Sequence, residues 1–483
     1  MTDDELDVRA FAADLRAFMK AVQRATPPPE PTALARRLAE HLGADPGELP
    51  VTVESMASYE QANVQAAMDA YLALDGVTVD LIGVVGSGRE HQGFADLIDA
   101  ARKHGQYDIG AVDYATVSVG VGKEQACVSF GLYLIATPEH RLAVLVRLSG
   151  HRRAVPEMLI EVMCAEAEVA RLFLRTLRDY TIEHHVCRGQ VLSFESYEYG
   201  EGIGPLRFHE RPHVDAADVI LPAGVLDSVH RQILGVAEHR ERLRKAGHHL
   251  KRGVVLFGPP GTGKTHTIRH LIGAQPDTTV IVLTGLGVQF IREACSLARL
   301  LPPALVVLED VDLIAEERTM SHLGMGNPLL FQLLNEMDGV AGDADIAFLL
   351  TTNRLDLVEP ALAQRPGRVD LVAEVPLPDA AGRRRLLTLY GVSAHLTADE
   401  VQRVVNATAG ATGSFFAELS RRADLLAATQ NVEATTMGHV SEALEELGRS
   451  RDAVSNAIAA FRHAVGLPEE AHSGDSPSPA PYV

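Results

Sequence analysis

Apolar residues recur at helical spacing along residues 4 to 24, and TPPPEPT, residues 26 to 32, ends the run, because each proline removes a backbone donor and clashes with the preceding turn. Residues 1–32 therefore read as a helix followed by a proline-rich linker. Helical spacing returns at Ala33–Leu42 and Tyr59–Leu74. VTVDLIGVVG (77–86) reads as a strand, and FADLIDAARKHG (94–105) as a helix closed by Gly105. Three β-rich runs follow, ATVSVGVG, ACVSFGLYLIAT and RLAVLVRLSG. EMLIEVMCAEAEVARLFLRTLRDYT, residues 157 to 181, is expected to be one long amphipathic helix. Together these predict an α+β domain over residues 33–198 with an antiparallel sheet.

Residues 199–222, YGEGIGPLRFHERPHVDAADVILP, are rich in Gly, Pro and charge and read as a linker. Beyond it strands and helices alternate, which predicts an α/β core over residues 223–378, a parallel sheet with helices on both faces. Residues 379–471 read as helices, and the polar, proline-rich residues 472–483 as a disordered tail. No repeat at solenoid spacing is present.

With 483 residues and 46% hydrophobic content, two or three cores can be buried. A formal net charge of −20 disfavours nucleic acid as a partner. The start of the chain lacks the basic and apolar stretches of a signal peptide, and no apolar run of about 18 residues occurs, so a cytoplasmic protein without membrane insertion is expected. Cys127, Cys164, Cys187 and Cys295 form no CxxC pair and read as reduced thiols. GVVGSGREHQG follows a strand, but His91 stands where a dinucleotide fingerprint needs its third glycine, so a tight turn is the better reading. His184, His185 and Cys187 lack a second cluster to complete a metal site.

The strongest chemical signal is VVLFGPPGTGKTHTIRHLI, a strand, a glycine-rich loop and a helix. Gly258, Pro259, Pro260, Gly261, Thr262, Gly263, Lys264, Thr265 and His266 are the nucleotide-binding candidates. Glycines let backbone N–H groups wrap a triphosphate, and the helix adds its positive N-terminal end. Lys264 would bind the β- and γ-phosphates, and the Thr265 hydroxyl would ligate magnesium. ATP and Mg2+ are the cofactors this loop implies. In VVLEDVDLI, 45 residues beyond Lys264, a buried strand delivers Glu309 and Asp310 to the same sheet edge. One acid would hold the magnesium shell, Glu309 through water, and Asp310 would orient the attacking water.

With these motifs in order, and TTN (351–353) ending a further strand, the chain resembles the AAA ATPases. The resemblance covers roughly residues 215 to 450 and implies a P-loop NTPase core with a C-terminal helical lid. It makes Asn353 the sensor of the γ-phosphate and of water. EPALAQRPGRVD (359–370) resembles the family's second region of homology, which makes Arg365 and Arg368 candidate fingers reaching a neighbouring subunit's ATP. GATGSFFAEL (410–419) resembles the turn and helix of the family's lid. The resemblance further implies a homo-oligomeric ring, six-membered with seven as the alternative, acting on a protein client.

Three features depart from the family pattern: the order Glu–Asp instead of Asp–Glu, one extra residue between Asn353 and Arg365, and Phe416 at a lid position where glycine is common. LEDVD with PGRVD is similar to the subgroup containing the mitochondrial translocase of the Rieske protein, in which the same acid order occurs. The aromatic-hydrophobic-glycine loop that grips polypeptides in many unfoldases has no counterpart; Phe290 reads as the buried face of a helix. These readings favour an ATP-hydrolysing protein remodeller whose N-terminal domain recruits the client. The alternatives are an ATP-gated assembly or signalling scaffold and, behind it, a DNA-acting machine.

Overall fold

Runs such as FGLYLIA in residues 130–136 are too continuous for a sheet with one wet face, and the fold buries both faces. The computed structural model describes residues 8–25, 30–149, 157–196, 203–312, 332–333, 335–337, 344–356 and 369–449. After helix α1 (Val8–Ala25) come α2 (Ala33–Leu42), strand β1 (Val51–Ala57), α3 (Gln61–Leu72), β2 (Thr78–Val85) and α4 (Phe94–Lys103). Strands β3 (Asp108–Gly110), β4 (Asp113–Gly120), β5 (Lys123–Ala136), β6 (Arg141–Ser149) and β7 (Glu157–Met163) follow, then α5 (Ala167–Glu183). The antiparallel sheet runs β1-β7-β6-β5-β2-β3, with β4 paired to β5. Tyr133, Ile135, Val144 and Ile160 pack on α3 and α5. Leu132, Leu134 and Leu145 pack on α2 and α4 from the other side.

The single helix expected over 157–181 is instead β7 followed by α5. Met158, Ile160 and Val162 alternate into the core, and β7 is clamped between β1 and β6. Period-2 burial thus overrides the helical propensity of Glu, Met and Leu.

The second sheet contains β8 (Val191–Ser196), β9 (Ile203–His209), β10 (Arg252–Phe257), β11 (Thr279–Leu283), β12 (Ala304–Leu308), β13 (Ile346–Thr352) and β14 (Leu371–Glu374). Its order is β14-β10-β13-β12-β11-β8-β9, parallel except for β9. Helix α6 (Lys264–Gly273) covers one face through Ile268 and Leu271. Helix α7 (Ile291–Leu300) covers the other through Ile291, Ala294 and Leu297.

This sheet starts earlier than the boundaries at 198 and 222 suggest, because β8 and β9 add a hairpin beside β11. Gly204 and Pro205 make that segment look like a linker. Their strand is the edge of the sheet and its register slips opposite them, where a missing N–H is tolerated. The hairpin also meets the first domain. The Tyr59 ring stands edge-on to Phe194 at 5.7 Å, and Asn63 Oδ1 accepts from the Val186 amide at 2.8 Å.

Helices α8 (Ala380–Leu389), α9 (Ala398–Ala407), α10 (Gly413–Thr429) and α11, residues 437–449, form the lid around Leu387, Val404, Phe416 and Leu419. Asp379 caps α8, and Thr397 with Glu400 forms a capping box on α9. No described helix is long and apolar enough to cross a membrane.

Candidate active site

Strands β10, β13 and β12 are neighbours, so their C-terminal ends bring three segments distant in sequence to one edge. The loop after β10 bends through Gly258, Gly261 and Gly263, all at positive φ. At Gly261 the φ of 76° disfavours any side chain, and an added Cβ would lie 2.3 Å from Ser414 Oγ, so that hydroxyl would have to turn away. The lid rests on this point, the Ser414 amide donating to the Gly261 carbonyl at 3.1 Å.

Lys264 begins α6 and is only 6% exposed. Its ammonium donates to the carbonyls of Gly258 (2.7 Å) and Pro259 (2.9 Å) and to Asn353 Oδ1 (2.8 Å). Burial pushes its pKa down, while Asp310 and Asp312 oppose that shift. Asn353 in turn donates through Nδ2 to Asp312 Oδ2 at 3.3 Å and more loosely to Asp310 Oδ1 at 3.5 Å. Its backbone N–H meets Asp312 Oδ1 at 3.1 Å, so the buried Asp312 holds Asn353 by two bonds. A chain of cation, amide and acids therefore links the loop to β12 and β13.

Asp310 itself has φ of 52°. Its N–H donates to Thr351 Oγ1 at 3.0 Å, which ties this backbone kink to β13. Asp tolerates the left-handed region better than Glu, because its short polar side chain can bond locally. The order Glu–Asp thus suits the backbone: the residue at the kink is the shorter acid.

A cleft of about 920 Å³ opens here. Gly261, Thr262, Gly263, Lys264, Thr265 and His266 line it with Asp310 and Asn353, and Asp218, Arg385 and Tyr390 line it too. Pro260 also lines it; Gly258, Pro259 and Glu309 do not. Glu309 stands behind, its Oε1 buried without a hydrogen-bond partner among the described residues. His266 Nε2 is likewise buried and unpaired, and burial pushes that imidazole's pKa down. An inward-turned lysine, exposed Thr265, glycine-freed amides and the Asp310 carboxylate make a donor set that fits a magnesium-bound nucleotide.

Arg365 and Arg368 lie outside the described residues. Asp370, just beyond them, bonds Gly253 at the start of β10 through its carboxylate at 2.8 Å. Asp312 and Thr351 were not assigned roles from sequence, although LEDVD and TTN display both. His185 is buried against Asn63 and Glu60, and no metal cluster occurs among the described residues.

Residues 254–377 match the model of the ATPase family associated with various cellular activities. The chain carries an AAA ATPase domain. The ATP-dependent zinc metalloprotease FtsH of Streptobacillus moniliformis is 31% identical over 268 residues, 52% of this chain and 38% of that protein. The proteasome-activating nucleotidase of Methanocaldococcus jannaschii is 30% identical over 255 residues, 49% of this chain and 58% of that protein. FtsH of Acidothermus cellulolyticus is 32% identical over 280 residues, 55% of this chain and 41% of that protein. The chain thus spans about two fifths of the FtsH relatives and rather more than half of the nucleotidase. The AAA match begins at Val254, so β1 to β9 lie outside it.

Proposed function

We propose that the protein hydrolyses ATP as a magnesium-dependent ring ATPase and uses the cycle to remodel a protein client recruited by its N-terminal domain. The observation that carries this reading is the linkage Lys264–Asn353–Asp310 across one cleft. Lys264 would hold the β- and γ-phosphates, Thr265 and Glu309 the magnesium, and Asn353 the γ-phosphate. Magnesium would offset the phosphate charge. Asp310, set by Thr351 and by its kink, would orient the water, while Asp312 keeps Asn353 in place. Arg365 and Arg368 would stabilise the transferring phosphoryl group in the next subunit's cleft.

Remodelling without an aromatic grip is supported by Phe290, which is buried 6.0 Å from the Phe194 ring and so unavailable to a threaded chain. The similarity to FtsH and to the proteasome-activating nucleotidase supports a protein client.

Calorimetric titration of the full chain with Mg–ATP tests the reading. Lys264→Ala is expected to weaken binding by about 1.5–3 kcal/mol, tenfold or more, because a charge-assisted contact is lost. Wild-type affinity depends on a protonated lysine whose pKa in the free protein is already lowered. It is therefore full below that pKa and falls as pH rises through it, at lower pH than for an ordinary lysine. Equal affinities of the two proteins would place the nucleotide elsewhere.

A further inference from the structure

Helix α1 carries an apolar stripe in the open: Phe11, Leu15 and Phe18 are 57%, 47% and 63% exposed. Followed by Val22, they step by four, three and four residues, and in the sequence Val8 and Ala25 continue the stripe by steps of three. This is the 3–4 alternation of a coiled-coil seam, with Val8, Leu15 and Val22 at a and Phe11, Phe18 and Ala25 at d. A helix docked on a globular core looks different here: α4 buries Phe94, Leu97, Ile98 and Ala101 over a broader face.

We propose that α1 is an oligomerisation element that pairs, parallel and in register, with α1 of a second copy of this chain. The flanks decide for a helix as occupant. Ala12 and Ala21 beside the seam allow close approach, with Asp14 and Met19 at the other flanking positions. Arg16 and Lys20 lie at b and f, on the outer side, so no like charges face each other across the pair. A helix lying on an anionic membrane would carry its bases beside the apolar stripe, within reach of headgroups, and would not place Asp14 there.

Orientation follows from the tether. Residues 26–32 join α1 to α2, and seven residues reach about 25 Å at most. Subunits related by rotation in a ring send their tethers from the same face, which sets neighbouring helices parallel. Eighteen residues make a marginal helix pair in dilute solution, whereas tethering to adjacent subunits raises the effective concentration to about millimolar. The orientation rests on the ring reading; the pairing itself does not.

The test is oxidative cross-linking of full-length Leu15→Cys, with particle mass measured in parallel by light scattering. The four native cysteines are buried, and burial pushes the thiols of Cys127 up to about 11 and of Cys295 up to about 12, so the introduced thiol is the reactive one. The 52.0 kDa chain should shift to a band of twice that mass under non-reducing conditions. Val22→Cys, at the next a position, should do the same, and Arg16→Cys, facing outward, should not. A ring of unchanged mass that gives no band, or equal bands at positions 15 and 16, overturns the pairing and leaves the ring reading standing. Cross-linked pairs without a larger particle support the pairing and remove the ring. A band only on mixing Phe11→Cys with Val22→Cys overturns the parallel register. Sedimentation with phosphatidylglycerol vesicles that Phe18→Asp abolishes would assign the stripe to a membrane surface instead.

Discussion

Asp310 shows how a residue's backbone can decide its chemistry. A carboxylate one methylene shorter than Glu has to be brought toward the cleft by the main chain, and φ of 52° with the Thr351 bond does that. Lengthening the side chain at this kink loses the tolerance that Asp has for left-handed backbone. Asp310→Glu should therefore reduce stability by about 1 kcal/mol, read as a lower urea midpoint at unchanged slope. An unaltered midpoint would mean that the kink imposes no preference. Much at this scale was legible in the sequence. The P-loop residues and the acid pair lie at one sheet edge, and Asn353 reaches Lys264, Asp310 and Asp312. Asp312 and Thr351 stand in the same motifs, but they hold Asn353 and the Asp310 amide, and a linear motif does not display bonds between strands.

Among the elements, those with one periodicity were readable and those with two were not. Helices α2 and α4 begin where apolar spacing and a preceding turn place them. The segment 157–181 combines a period-2 half with a period-3.6 half, and only the partners β1 and β6 reveal where one gives way to the other. The β8–β9 hairpin was hidden because glycine and proline at a sheet edge have the composition of a linker. In the lid, Phe416 occupies a position where the family often has glycine, and the structure gives the reason: its ring fills the centre of the lid, fully buried against Phe415 at 5.8 Å. Phe416→Ala should destabilise the lid by roughly 3–5 kcal/mol. Since α10 also carries Ser414 onto Gly261, the same change should loosen nucleotide binding. Circular dichroism melting together with a nucleotide titration checks both, and loss of neither would separate the lid core from the cleft.

At the scale of the molecule, the two sheets are coupled where Tyr59 and Asn63 from the first domain meet the β8 hairpin and the turn before it. β8 pairs β11, which pairs β12, the strand that leads to Glu309 and Asp310. A movement at the cleft thus has a continuous sheet along which to reach the first domain, as the proposed remodelling requires. Everything beyond depends on the cleft turning over ATP with Asp310 in the water-orienting place. The most direct measurement is single-turnover hydrolysis of Mg–ATP by the assembled full chain, comparing Asp310→Asn with the wild type after equal binding has been established. The predicted result is unchanged nucleotide affinity with hydrolysis slowed by about 10²–10⁴, the usual worth of a positioned acid–base group. Hydrolysis by Asp310→Asn at the wild-type rate, with Glu309→Gln silent instead, would contradict the account and move the water-orienting role to the acid behind the cleft wall.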